Sequence, residues 1–183
     1  MSNASTILLS GGIDSMVCLA LAMDTGRNID VLHIDYGQVA RTHELSSAKE
    51  IAGHFGVKLR VISIDFGKQF GVGEIPNRNA GLIFSAAMAI SNSSDEMILG
   101  VHAGTEYEDC SPEFLLACQN VLQFTNNSHL SLIAPLKTWS KAEILAYSMD
   151  KGLPLSKTYS CESGTFPPCG ICASCMDRIE LTC

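Results

Sequence analysis

Short apolar runs alternate along the chain with longer stretches in which apolar residues return every three or four positions. Residues 5–9 (STILL), 30–34 (DVLHI), 60–64, 96–99 (EMIL) and 130–134 read as strands, rich in Ile, Leu and Val. Helices are predicted between and after them, over residues 13–23, 43–55, 80–91, 112–124 and 140–149. In residues 43–55 the side chains of Leu45, Ala48, Ile51, Ala52 and Phe55 fall on one helical face. Pro112 suits a first helical turn, and Ser140 with Glu143 three residues later forms a capping-box signature. Strands that are apolar throughout need burial on both sides, and helical spacers of roughly 10–15 residues provide parallel crossovers. The expected fold is therefore α/β: a doubly wound, parallel, five-stranded sheet with right-handed crossovers and ligands beyond the carboxyl ends of the strands. This regular pattern covers residues 5–151. Residues 152–183 form a Pro-, Gly- and Cys-rich tail, expected to pack on the same domain.

Composition narrows the function classes. With 46% hydrophobic and 17% charged residues in 183, one packed core is expected rather than a disordered chain. The net charge of -7, with Lys and Arg scattered singly, argues against a nucleic-acid partner, which needs clustered cations. No apolar run approaches the ~20 residues of a membrane helix, so no membrane partner is expected. Residues 1–4 lack the order of a signal peptide, and a cytoplasmic location is expected.

Leu9, Ser10, Gly11, Gly12, Ile13, Asp14 and Ser15 directly follow the first strand and open the first helix. Two glycines let the backbone approach a phosphate, Ser10 and Ser15 offer hydroxyls, and the helix start points N–H groups at an anion. Asp14 would repel phosphates on its own, but it makes sense as a ligand of Mg²⁺ shared with them. The Gly-Lys-Ser/Thr ending of a Walker A loop is absent. A plain strand-to-helix turn is the alternative. Asp35, Tyr36, Gly37 and Gln38 end the second strand, where they can meet the adenosine or form a generic turn. Of eight cysteines, Cys161, Cys169, Cys172 and Cys175 crowd into one loop with C-x2-C-x2-C spacing at its end. Four thiolates make a closed, structural Zn²⁺ site; a redox C-x-x-C pair is the competing reading.

The loop at Ser10–Ser15 resembles the SGGxDS pyrophosphate loop of the N-type ATP pyrophosphatases. The whole chain is similar to the 7-cyano-7-deazaguanine synthases of queuosine biosynthesis. The resemblance is carried by LLSGGIDS, by DYGQ at residues 35–38, by IPNRN at 75–79 and by Asp109-Cys110-Ser111-Pro112-Glu113-Phe114. APL at 134–136, SKAEI at 140–144, and the cysteine tail followed by Arg178 complete it. It implies an adenine nucleotide alpha hydrolase-like fold and an ATP-dependent carbon–nitrogen ligase using ATP, Mg²⁺ and structural Zn²⁺. The implied substrates are 7-carboxy-7-deazaguanine and ammonia, and the implied assembly is a homodimer. By resemblance, Ser10, Gly11, Gly12, Asp14 and Ser15 hold pyrophosphate and Mg²⁺, Lys141 meets developing phosphate charge, and Arg78 binds phosphate or the substrate carboxylate. Asp109 and Glu113 either face the deazaguanine edge or cap a helix. The chain departs from the family in a short segment over 66–75, in residues 105–109 and in Ser111 where the family tends to have Arg. A homologue that stops at the amide, one that activates another carboxylate or a tRNA base, and a non-catalytic zinc-knuckle module are the competing readings.

Overall fold

Hydrogen bonding along five short segments builds one parallel sheet. The computed structural model describes residues 3–67, 70–90, 94–104, 107–125 and 129–181. Its strands are β1 (Ala4–Leu8), β2 (Asn28–Asp35), β3 (Leu59–Ser63), β4 (Glu96–Ile98) and β5 (Ser131–Ile133), in the order β3-β2-β1-β4-β5. All pairings are parallel, with Leu8 beside Leu32 and Ile7 beside Ile98. The helices are α1 (Ile13–Met23), α2 (Arg41–Phe55), α3 (Arg78–Ile90), α4 (Pro112–Gln123), α5 (Lys141–Asp150) and α6 (Ala173–Glu180).

The period-two alternation of strand side chains feeds two separate cores. Ile7, Val31 and Ile98 point into the first, with Val17 and Leu19 of α1, Ile51 of α2 and Ile144 of α5. Leu32, Met97 and the partly buried Leu8 point into the second, with Ile83 and Ile90 of α3 and Leu122 of α4. Both faces are covered, which is why the strands read as unbroken apolar runs. The chain winds outward from β1 to β3 and then returns to the other side of β1. The crevice beyond the carboxyl ends of β1 and β4 is therefore the switch point of the sheet.

Three helix ends show their sequence causes. Ser140 Oγ accepts from the Glu143 amide at 3.3 Å while Glu143 accepts from the Ser140 amide at 2.7 Å, so the capping box at α5 is complete. Ser111 Oγ accepts from the Phe114 amide to start α4. Gly56 closes α2 at φ 67°, a left-handed conformation that favours glycine.

β2 and α2 each begin two residues before their expected starts, and two further elements differ from the pattern reading. α3 begins at Arg78, two residues before the apolar periodicity, because the carboxylate of Asp109 accepts from the Asn79 amide at 2.9 Å and caps the helix from a distant loop. α6 has no counterpart in the prediction, since it is eight residues long, buries only Cys175, and its apolar positions Cys175, Met176 and Ile179 lie within the cysteine-rich tail. Of the sequence readings, Ser91, Thr105, Glu106 and Cys183 lie outside the described residues.

After α5 the chain returns over α1 and α2. Leu153 and Leu155 pack on the first core, and Tyr159, Cys161 and Cys175 bury against Ala40 in a small third cluster. No helix among the described residues is long and apolar enough to cross a membrane. Replacing Ser140 by Ala should remove half of the capping box and lower the unfolding free energy by about 1 kcal/mol. Urea unfolding checks this, with a shifted midpoint and an unchanged slope expected.

Candidate active site at the sheet switch point

The turn after β1 is held from three sides. Leu9 is buried; its N–H donates to the Leu32 carbonyl at 2.8 Å and its carbonyl lies 2.8 Å from His33 Nδ1. His33 is itself buried, and burial holds its pKa below the usual histidine value. The neutral ring then donates from Nδ1 to the strand end that has left the ladder. Gly11 follows at φ 98°, so close to α2 that a Cβ there would lie 2.4 Å from the Glu44 carbonyl oxygen. Its own carbonyl accepts from the Tyr159 amide at 3.0 Å. Gly12 then caps α1 with no side chain of its own. The hydroxyls of Ser10 and Ser15 are 3.1 Å apart, and Ser15 Oγ donates to the Gly12 carbonyl at 3.0 Å. Leu9 and Ile13 place their side chains in the core, while Ser10 is exposed and Asp14 partly so. The result is a helix start, whose first amides have no intrahelical acceptor, beside two hydroxyls, the arrangement that binds an anion.

Opposite this turn, Gly100 leaves β4 with so little room that a Cβ would sit 3.0 Å from the Ser15 amide and 3.1 Å from the Asp14 carbonyl carbon. α5 delivers Lys141 to the same place. Its Nζ donates to both carboxylate oxygens of Asp14, at 2.8 and 2.7 Å, and lies 3.5 Å from His102 Nε2. Burial holds the His102 imidazole below its usual pKa; Asp14 opposes this and Lys141 reinforces it.

A second group forms beyond β2. Asp35 Oδ1 accepts from the Gly37 amide at 3.0 Å. Gln38 is buried; its Oε1 accepts from the Tyr36 amide at 2.9 Å and its Nε2 donates to Glu44 Oε2 at 2.7 Å. Both ends of that side chain are thus engaged inside the protein, bracing the turn. Burial, helped by Glu44, pushes the Tyr36 phenol up to about 12, while a hydrogen bond with Arg78 pulls the other way. Burial also raises the Glu44 carboxyl, against its bond to Gln38 and the field of Arg78. Arg78 is therefore no loop arginine; it opens α3 and faces Tyr36, Glu44 and Tyr107. Asp109 accepts from the Asn79 amide and side chain, which gives its carboxylate the capping role.

The four cysteines of the tail converge. Their sulfurs all lie within 4.8 Å of one another, with Cys169 and Cys175 at 3.9 Å. Tetrahedral zinc with bonds of ~2.3 Å needs sulfurs about 3.8 Å apart, so the set fits that ion after a small contraction. The Cys169 amide donates to Cys161 Sγ at 3.3 Å and the Cys172 amide to Cys169 Sγ at 3.4 Å, bonds that stabilise thiolate. Burial raises the Cys161 thiol, yet donors led by the Cys169 amide outweigh it and bring it down to about 5. The donor chemistry is that of a metal site, and the redox-pair reading has no support from a cluster of four.

Comparison with known proteins places this architecture. The profile of the family described as queuosine biosynthesis protein QueC matches residues 4–74 and 72–181. The chain belongs to the QueC family. The 7-cyano-7-deazaguanine synthase of Prochlorococcus marinus (strain MIT 9303) is 35% identical, covering 97% of this chain and 92% of that protein. The protein of the same name from Methanosphaerula palustris is 34% identical over 93% of this chain and 90% of its own. In fold the chain is similar to the NMN synthetase of Francisella tularensis, with TM-score 0.59 at 17% identity over 88% of this chain and 68% of that one. It is likewise similar to the U34-tRNA thiolase NcsA of Methanococcus maripaludis, solved with its 4Fe-4S cluster. There the TM-score is 0.58 at 19% identity over 86% of this chain, which spans 60% of the thiolase. At such identities the likeness is one of fold.

Within this QueC-family chain, sequence reasoning missed His33, Glu44, Gly100, His102 and Tyr159 as parts of the site. His33 carried one usable signal, a polar residue on the core face of an apolar strand. The others lie outside any motif read from the chain and meet the loop only through the fold. Gly11→Ala should destabilise the protein by more than the ~1–2 kcal/mol that positive φ alone costs, because the new Cβ collides with Glu44. Gly26→Ala, at φ 71° with open space around it, should show the backbone cost alone. Equal losses in denaturant titrations would dispose of the collision argument.

Proposed function

We propose that this protein converts 7-carboxy-7-deazaguanine and ammonia to 7-cyano-7-deazaguanine, splitting ATP into AMP and pyrophosphate. The observation that carries the reading is the meeting of the anion-binding helix start with the Asp14–Lys141 pair at the switch point between β1 and β4. Family membership supplies the substrate class. The chemistry asked of such a site is activation: a carboxylate oxygen is a very poor leaving group and AMP is a good one. Adenylation of the carboxylate lets ammonia displace AMP and form the amide. Adenylation of the amide oxygen then allows AMP to depart again and leave the nitrile.

In this reading the amides after Gly11 and Gly12, with the Ser10 and Ser15 hydroxyls, hold the phosphates, and Leu9 and Ile13 fix the backbone by burial. Asp14 would hold Mg²⁺, which supplies charge neutralisation on the phosphates when bound. A partly exposed carboxylate beside two hydroxyls fits that hard ion. Lys141 stabilises charge as it develops. Arg78 presents its fork to the substrate carboxylate, held in place by Tyr36. Asp35 and Tyr36 border the nucleoside, with Gln38 bracing their turn. Cys161, Cys169, Cys172 and Cys175 hold structural zinc, and residues 152–183 form the unit it organises on the ATP domain. We place the protein in the cytoplasm, since unpaired buried thiols suit a reducing compartment. We read it as a homodimer with no nucleic-acid partner. Met88 of α3, Leu116 of α4 and Phe124 just beyond it are exposed apolar side chains for a subunit contact, and the net charge of -7 disfavours a nucleic acid.

The direct test measures AMP release from ATP with 7-carboxy-7-deazaguanine, with and without ammonium, and identifies the product by mass. Dependence on both with a nitrile product is expected; an amide endpoint would stop the reaction at its first half, and no substrate-dependent AMP would reject the reading. Asp14→Ala should lower AMP release by about 10²-fold or more, because the removed group acts on the transition-state charge. Its unfolding midpoint and zinc content should stay close to the parent's, and undiminished turnover would remove Asp14 from the mechanism. Cys172→Ser should lower zinc content and stability together, the latter by on the order of a few kcal/mol, because structural metal binding is folding free energy. Full zinc loading in that variant, read by elemental analysis, would show the ligand set to be wrong.

A further inference from the structure

We propose that Glu44 is a catalytic residue that receives the proton ammonia must lose as it becomes the amide nitrogen. This deepens the function reading above and rests on it. Glu44 lies in the first turn of α2, and its backbone carbonyl is the group that closes on Gly11 of the phosphate loop. Its side chain reaches the turn after β2, where Oε2 accepts from Gln38 Nε2 at 2.7 Å. Gln38 in turn accepts from the Tyr36 amide at 2.9 Å, and the Tyr36 side chain is hydrogen-bonded to Arg78. One residue thus joins the place that holds the phosphates to the place that holds the carboxylate they activate. The bond that ammonia breaks lies between those two.

The bracing of Gln38 does not account for a carboxylate here. That bond needs an acceptor and no charge, and a partly buried charge costs stability unless something pairs with it. No ion pair joins Glu44 to a cation among the described residues; the Arg78 guanidinium acts on it only at a distance. Burial outweighs that field and raises the proton affinity of the carboxyl, which suits a base. Only one oxygen is engaged. Among the described residues Oε1 has no hydrogen-bond partner, and it is not one of the buried unpartnered atoms, so it keeps access to solvent.

In the amide-forming step the ammonia lone pair forms a bond to the carboxyl carbon of the acyl adenylate, and the nitrogen becomes positively charged. The carbon–oxygen bond to AMP breaks with its electron pair on the phosphate, and one N–H proton passes to Glu44. The products are the amide, AMP and a protonated Glu44, which returns the proton to water as they leave. Adenylation moves no proton, because a carboxylate oxygen attacks the α-phosphorus and pyrophosphate departs as the anion. A missing base therefore shows in the second event and not in the first. Hydroxylamine is a weaker base than ammonia, so its adduct nitrogen is more acidic and sheds its proton to water unaided.

Glu44→Gln keeps an acceptor for Gln38 and removes the base; Glu44→Ala removes both. Each is made in the full chain with its zinc bound. Three rates are read: ATP–pyrophosphate exchange with 7-carboxy-7-deazaguanine and no nitrogen source, amide plus nitrile with ammonium, and hydroxamate with hydroxylamine. In Gln the ammonium rate should fall about 10²-fold, with exchange and hydroxamate formation within about tenfold of the parent. The ratio of the ammonium rate to the hydroxylamine rate does not depend on how much of a variant is folded. It should be at least about tenfold below the parent's in both Gln and Ala. A parental ratio in either variant would overturn the proposal: with equal losses in every assay Glu44 is a brace, and with no losses it is a bystander. A parent without carboxylate-dependent exchange would overturn the function reading and this one with it, whereas a parent that exchanges, beside variants of parental ratio, overturns this one alone.

Discussion

Everything functional in this molecule hangs on how tightly the backbone at Gly11 is enclosed. Its α-carbon faces the Glu44 carbonyl at a distance that admits no side chain, and its carbonyl is taken by the Tyr159 amide. β1, the start of α2 and the returning tail therefore meet at one peptide. The loop needs no ligand to define it. Leu9 is tied by Leu32 and His33 before the turn, and Ile13 is buried after it, so the helix start is fixed by the protein's own hydrogen bonds and packing. Such preorganisation is what makes a helix start useful in catalysis, since donors already in place need no reorganisation as charge develops.

A protein of net charge -7 that handles a polyanion must bind it locally rather than by its overall field. The structure does so with few full charges. Backbone amides and the helix dipole carry much of the attraction, and the cations are single and placed: Lys141 on one side, Arg78 on the other. The Asp14–Lys141 pair illustrates the economy. With both side chains about a quarter exposed, it contributes little to stability. Its worth lies in holding a cation and an anion at the site without a net charge between them.

Much of the sheet could be read from the chain because burial on both faces leaves a direct mark, runs with no polar interruption. β1, β3, β4 and β5 lie within a residue of their expected starts, and α1 spans the expected residues. β2 extends further, since its ladder partners Ala4 and Ser5 accept Asn28 and Ile29 whatever their side chains. The start of α3 was hidden because its cap, Asp109, is supplied 30 residues downstream. Within the site, the phosphate loop and the cysteines were legible because each is contiguous chemistry. The Lys141–Asp14 pair spans 127 residues and His102 meets Lys141 across 39, so no window of sequence contains either. Lys141 stood out by family resemblance alone, and Glu44 looked like any first-turn acid until Gln38 and Gly11 were seen against it.

The cysteine tail has to be explained by the same constraint. α6 is eight residues long and buries only Cys175, too little for a helix to persist in water unaided. What orders it is attachment: Arg178 donates to the carbonyls of Thr158 and Leu155, and the thiols gather Cys161, Cys169, Cys172 and Cys175 into one cluster. Between those two fastenings lies Tyr159, whose hydroxyl donates to the Thr165 carbonyl and whose ring stacks on His43 with centroids 4.9 Å apart. The Tyr159 amide is the group that holds Gly11. Order in the thiol cluster is thus passed to the phosphate loop through two residues of chain. A metal ion far too enclosed by sulfur to touch substrate would still set the geometry in which ATP is bound.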